Sequence, residues 1–436
     1  MSKRSIVRKL AAFSLVLVMA LSLAACGLGE PNDDIIISTE EKEKIVNLFS
    51  PMEKIAPNTE NIARSAFDKT VIIAEKKLGV NVAYRTYTAE DYQDKTYDDV
   101  TLERARNNMD DLYLLNPDII QKLGEEGLLL DLSDLTCVEN LREVVKTANT
   151  VDGKLVAIPQ EVVAYGLFIN KDMFDKYHLE LPNTPEEFLE CCRVFKENGI
   201  ETPVGANRWW LETFVFAQAY ADMYNDGDTQ AEIDKLNSGE SKYSDYMRPG
   251  FEFLQELIDK GYVDAKKAYV SEAIEGEGED FLAQKTPIVM AYWGAANTET
   301  AYGKPDFNLQ VIGFPSSHGQ MPVVTITGFG IGTRAEHLQD AKDTLNVVLS
   351  DEALQIYTET NKVISPSKNI EVECIPALKP LNDRIEENVY VLASNAGMKL
   401  EQWGNTCLVV RELLNGATVD ECMAELDRLQ EETLDK

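Results

Sequence analysis

Histidine is scarce in this sequence. Its three copies, His178, His318 and His337, stand far apart in 436 residues. No H-E-x-x-H pair, G-x-S-x-G elbow or phosphate-binding loop accompanies them. Gly328-Phe329-Gly330-Ile331-Gly332 lacks the G-x-G-x-x-G spacing that cradles a dinucleotide. Basic residues are also in short supply, 42 against 74 acids, for a formal net charge of −32. A field of that sign repels nucleic acid and anionic lipid and favours solubility. The seven cysteines include no C-x-x-C and no Cys/His cluster, so neither a metal centre nor a cofactor is expected. The stretch "DMYNDGDTQAEID", residues 222–234, has the acids of a calcium loop. Tyr224 at its third position and Ile233 at its twelfth remove two required oxygens, which leaves a solvated acidic loop. Past residue 20 no apolar run approaches the roughly 20 residues that a membrane-spanning helix needs. No internal repeat occurs either.

What is present begins at the N-terminus. Met1 to Lys9 carries Lys3, Arg4, Arg8 and Lys9 without an acid, and Leu10 to Ala20 is almost wholly apolar. That is the order of a secretory signal. Leu23-Ala24-Ala25-Cys26 resembles the lipobox of bacterial lipoproteins. The resemblance implies removal of residues 1–25, acylation at Cys26 and anchorage on the extracytoplasmic face of the cell membrane. Each buried methylene contributes only about 0.8 kcal/mol, so stable anchoring takes more than one chain, and multiple acylation is implied. Residues 26–44, polar and acidic from Gly29 on apart from Ile35 to Ile37, read as a flexible tether. Its reach is roughly 20–25 Å.

Behind the tether, a hydrophobic content of 44% fills two domain cores rather than one. Strand-like runs alternate with amphipathic helices, the pattern of α/β layers. "KIVNLFS" and "VNVAYRTY" are strands either side of a helix over Asn61 to Leu78, and "DLYLLN" is a third, entered from a helix over Leu102 to Met109. In "NTPEEFLECCRVFKENG", Thr184 caps, Pro185 takes the first turn, Glu187 completes a capping box and Gly199 stops the helix. Phe188, Cys191, Cys192 and Phe195 then share one face, as Cys422 does with Val419, Leu426 and Leu429. These cysteines read as small core residues carrying reduced thiols, although six cysteines besides Cys26, with Cys137, Cys374 and Cys407 among them, leave pairing open. Thr333 and Glu336 stand in capping-box positions before a further helix, and "SDEALQIYTETN" forms the next.

One long stretch carries a more specific signal. In residues 152–190, Gly153-Lys154-Leu155 leads to Ile158-Pro159, a strand ends in Ile169-Asn170-Lys171-Asp172, and Leu181-Pro182 precedes Thr184-Pro185-Glu186-Glu187. This resembles the extracellular solute-binding proteins of bacterial ABC importers, in the sugar-binding family that includes maltose-binding protein. "GLLLDLSDL", "FLAQKTPIVMAYWGA", "GFGIGTRAEH" and "VISPSKN" follow in that family's order.

The resemblance implies an α/β, two-lobed periplasmic-binding-protein-like fold of type II, each lobe a sheet flanked by helices and joined by hinge strands. Residues 45–161 plus 329–371 would form lobe 1, and 162–328 plus 372–436 lobe 2. The hinge would lie at Val162, Gly328 and Gly330, where glycine lets backbones approach closely or take positive φ. Closure around a ligand is the motion expected of such a fold.

A sugar presents apolar C–H faces that stack on flat aromatic rings and hydroxyls that both donate and accept. Trp293 and its neighbour Tyr292 end a strand where the family usually turns an aromatic toward the ligand. Trp209 and Trp210 open a helix where the family also projects cleft residues, and one of the two is expected in the core. Ser50, Glu53, Asn116 and Glu161 follow strands or stand at the crossing and are hydroxyl partners or simply exposed polar residues. The implied function is capture of a carbohydrate, an oligosaccharide in the first instance, by a monomer that docks on permease subunits. A peptide or another polar metabolite, or a sensing or adhesive surface lipoprotein, is the alternative reading. A glycosidase is more remote and would need two carboxylates at the right separation.

Overall fold

The computed structural model describes residues 44–52, 65–92, 95–271, 277–294, 305–370 and 376–435. Cys26, the signal and nearly all of the tether, Glu53 and Cys374 lie outside the described residues. Among the described residues, no helix is long and apolar enough to cross a membrane.

Two sheets organise the chain. In the first, Lys44–Ser50 lies between Val80–Thr86 and Leu112–Leu115, parallel to both, and Gly328–Ile331 adds antiparallel to Leu112–Leu115. Parallel neighbours need helical crossovers, and Ala66–Leu78 and Tyr97–Arg106 supply them. The former is capped by the Ser65 hydroxyl, which accepts from the Asp68 N–H, and closes on Gly79 at φ 66°. Phe67, Val71 and Ala74 are its buried face.

The second sheet is built around Val163–Asn170. Ile288–Trp293 pairs along one side of it; Val323–Thr325 and then Leu309–Ile312 share the other. Val204–Gly205 and Val391–Leu392 form the outer positions. Buried on both faces, the central strand is a near-continuous apolar run rather than an alternating one.

The chain passes from the first sheet to the second between Ile158, which pairs with Phe329, and Val163, which pairs with Thr325. It returns between Thr325 and Gly328, so the two crossings run side by side. Val162 pairs in addition with Ile364. Gly328 and Gly330 have negative φ; what requires glycine is proximity. A Cβ at 328 would stand 2.9 Å from that of Ala157, and one at 330 would stand 2.7 Å from Leu115 Cδ1.

Local expectations fare unevenly. The Thr184–Glu187 capping box forms with Pro185 in the first turn, and Phe188, Cys191, Cys192 and Phe195 are buried. Cys137, Cys191, Cys192, Cys407 and Cys422 are buried free thiols. The capping box expected at Thr333 does not form. The helix starts at Leu338, the Thr333 hydroxyl turns to the Gly127 and Leu128 carbonyls, and Asp111 accepts from the His337 N–H instead. The helix expected over 102–109 begins at Tyr97 and ends at Arg106, because Thr96 and Asp99 build a capping box earlier in the chain.

Candidate functional site

Where the crossings meet the second sheet, aromatic rings collect. Tyr165 and Tyr292 are register partners on adjacent strands, and their ring centres lie 5.4 Å apart. Trp210 meets Tyr292 edge-on at 5.2 Å, and Trp403 lies against Tyr165 at 5.2 Å. Such offset and edge contacts are the favoured arrangements of aromatic quadrupoles. Tyr165, Tyr292 and Trp210 are buried, whereas Trp403 is only half-buried. It is therefore the least covered member of the cluster.

Strand pleating sends adjacent side chains to opposite faces, so Trp293 does not share the face of Tyr292. Its ring packs on Phe168 at 5.9 Å, and its indole N–H donates to the Lys362 carbonyl at 2.6 Å. Trp209 is also apart from the cluster, its ring beside the Arg208 and Arg411 guanidinium groups at 5.0 and 4.1 Å. Glu161, at the crossing itself, contributes charge that helps hold the Tyr292 and Tyr357 hydroxyls in the neutral form, after burial, which is the larger cause. Ser50 is fully buried and accepts from the Met52 N–H.

Polar groups of the first half lie within reach of the charge of Glu401, two residues before Trp403 in the chain. Asn116 ends the third strand of the first sheet and opens the helix Pro117–Glu125. Its amide donates to Asp98 at 2.8 Å. Burial pushes the Asp98 carboxyl up to about 6, against the Asn116 hydrogen bond, which lowers it. Burial likewise pushes Asp118 up to about 8, reinforced by the charge of Glu401. Glu401 immediately precedes the helix Gln402–Leu414, two residues before Trp403. The acids of the first half thus stand within reach of the charge of Glu401, which the chain follows with Trp403.

This arrangement sets a pH dependence. Both carboxyls have folded values above those of the unfolded chain, so the stability contributed by their protons is fully present below about pH 4 and is lost as pH rises through about 6 and about 8. Asp118→Asn removes one of the two titrations. Its melting temperature, measured against that of the wild type, is expected to gain progressively between about pH 5 and about pH 8.5. Parallel melting curves across that window would contradict the burial of this carboxyl.

Sequence reasoning missed Trp403, Tyr165, Asp98, Asp118 and Glu401.

The family model for the bacterial extracellular solute-binding protein matches residues 56–355. Galactooligosaccharide-binding protein of Bacillus subtilis is 23% identical over 399 residues, 83% of this chain and 88% of its own. An uncharacterized ABC transporter extracellular-binding protein of Pyrococcus horikoshii is 28% identical over 189 residues, so the match spans only 43% of that relative and 42% of this chain. Among solved structures, a family 1 extracellular solute-binding protein from Bifidobacterium longum subsp. infantis superimposes with a TM-score of 0.71 at 19% identity, covering 89% of this chain and 98% of that one.

Proposed function

The chain belongs to the bacterial extracellular solute-binding protein family, whose members bind rather than transform their ligands, and on that premise we propose that it captures an oligosaccharide for an ABC importer. The observation that carries the reading is the half-buried Trp403, packed on Tyr165 with Tyr292 behind it, and following Glu401, whose charge acts on Asp98 and Asp118; Asn116 is hydrogen-bonded to Asp98. A ring face suits the C–H surface of a sugar, and carboxyl and amide groups suit its hydroxyls. The galactooligosaccharide-binding relative points the same way.

In this reading residues 45–161 with 329–371 and residues 162–328 with 372–436 are two lobes that close on the ligand, bending at Val162, Gly328 and Gly330. The pairing of the crossing segments with each other supports that division. Acylated Cys26 holds the protein at the membrane beside its permease.

Thermal melting against a panel of mono- and oligosaccharides tests the assignment. A ligand at a hundred times its Kd stabilises the folded state by about 2.7 kcal/mol, a rise in Tm on the order of 5 °C. The expected result is such a rise with at least one oligosaccharide, recovered uncleaved. A rise with peptides and with no sugar would replace carbohydrate by peptide as the ligand class.

A further inference from the structure

The acidic stretch dismissed as a calcium loop acquires a nitrogen ligand on folding. Asp222 and Asp226 lie one helical turn apart at the helix Ala221–Asn225, and His318, at the tip of the hairpin Phe314–Ser316/Gly319–Met321, comes to rest between them. Its Nε2 stands 2.8 Å from Asp222 Oδ1 and 3.3 Å from Asp226 Oδ2. One ligand atom from each of the three residues lies within 4.8 Å of the others. Two ligands bonded at about 2.0–2.1 Å along tetrahedral directions stand about 3.3 Å apart, the spacing of a zinc site. We propose that Asp222, Asp226 and His318 bind one divalent cation of the zinc class, which pins the hairpin to the helix.

Three further observations bear on this. The backbone on both sides is fixed by hydrogen bonds from other groups, while His318 Nε2 and Asp222 Oδ1 are within hydrogen-bond distance of each other at 2.8 Å. Arg384 donates to the carbonyls of His318 at 2.6 Å and Gln320 at 2.9 Å, and the His318 N–H donates to the Ser316 hydroxyl. Asn225 donates to the Ala221 carbonyl, to Met321 Sδ and to the Tyr390 carbonyl, tying the helix to the hairpin. Little reorganisation is then needed when a metal arrives.

Electrostatics favours a cation as well. Like charges four residues apart on a helix repel, and Asp226, at the carbonyl end, meets the unfavourable pole of the helix dipole. Among the described residues, His318 alone forms an ion pair with either acid. The Ser317 hydroxyl contacts Asp222 Oδ1 at 3.3 Å, and Asp222 Oδ2 remains available to a metal.

The donor set also selects the ion. One imidazole and two carboxylates suit zinc or its first-row neighbours. Calcium takes six to eight oxygens, and Tyr224 and Ile233 offer no carboxylate. On binding, the Nε2 lone pair goes to the metal and the ring proton resides on Nδ1. The side chains of Asp222 and Asp226 are 80% and 69% exposed, so water completes the coordination and the ion exchanges readily.

The untagged chain, stripped with a chelator, is titrated calorimetrically with zinc chloride and followed by visible absorption with cobalt chloride. One saturable site is expected, with the absorption of four-coordinate cobalt(II) and no competition from excess calcium. His318→Ala should abolish it, and Asp226→Asn should weaken it at least tenfold. Asp234→Asn, an exposed acid of the following helix, should leave it unchanged. An unaltered metal-free melting curve establishes that His318→Ala is folded, and loss of the zinc-induced rise in Tm must accompany loss of binding. The absence of a saturable site in the wild type, or a site of equal strength in His318→Ala, would overturn the proposal; the latter would mean diffuse binding by surface acids.

Discussion

Gly166→Ala is expected to lower the stability of the protein by about 3 kcal/mol or more, a large loss for a single methyl group. Gly166 sits where the central strand of the second sheet changes partners along one side. Val323 pairs opposite Tyr165, and Ile312 pairs opposite Leu167. The ends of two strands therefore converge over residue 166. A Cβ there would stand 2.1 Å from the Ile312 carbonyl oxygen and 3.3 Å from Leu381 Cδ1. A side chain can rotate out of such a clash, but a backbone carbonyl within a ladder can yield only by moving its strand. Overpacking in a core typically costs about 1–3 kcal/mol when side chains absorb it, and backbone displacement adds to that. Urea denaturation measures the effect as a fall in Cm at constant m. Gly332→Ala is the reference, since its new Cβ meets nothing closer than Tyr113 Cε2 at 3.6 Å. Equal midpoints for the two variants would refute the explanation.

Trp403→Ala should weaken oligosaccharide binding by at least tenfold, about 1.4 kcal/mol, while leaving the protein folded. The asymmetry follows from burial. Tyr165, Tyr292 and Trp210 are buried in the same cluster, and truncating any of them removes core. Trp403 packs on Tyr165 at a ring tilt of 54° and is only half-buried, so its loss falls mainly on whatever stacks there. Aromatic anchors of this kind carry a disproportionate share of binding free energy. Trp403→Phe should recover most of the affinity by keeping a flat apolar face. Calorimetric titration with the sugar that gives the largest thermal shift is the measurement. An unchanged Kd in a folded Trp403→Ala variant would move the ligand elsewhere.

How much of this was visible in the residues alone depends on how local each feature is. The helix at Thr184 is announced by its own capping box, and Cys191 and Cys192 by their spacing from Phe188 and Phe195, so both were readable. The crossing at Ile158–Val163 was located through a family resemblance rather than through any periodicity. Trp403 was not legible. It lies in the first turn of the helix Gln402–Leu414, which follows the returning strand Val391–Leu392, a two-residue element with no pattern of its own. The acids were harder still, because Asp98, Asp118 and Glu401 are ordinary surface residues until three helices bring them together. The failure at Thr333 has the same origin. A hydroxyl with a helix ahead of it is expected to cap, yet long-range carbonyls at Gly127 and Leu128 bind it first.

The pairing of the outer strands constrains how the chain can be made. The first sheet receives its edge from Gly328–Ile331, after the central strand of the second sheet has already left the ribosome. The second sheet in turn waits for Val391–Leu392, later still. Neither half is a continuous piece of polypeptide, and every nascent chain that stops short of residue 392 leaves unpaired a strand edge that the finished fold covers, Val323–Thr325 last of all, the kind of surface most prone to aggregation. A chain bound for export gains from this order of synthesis, because it stays unfinished, and so threadable, until nearly all of it has been translated.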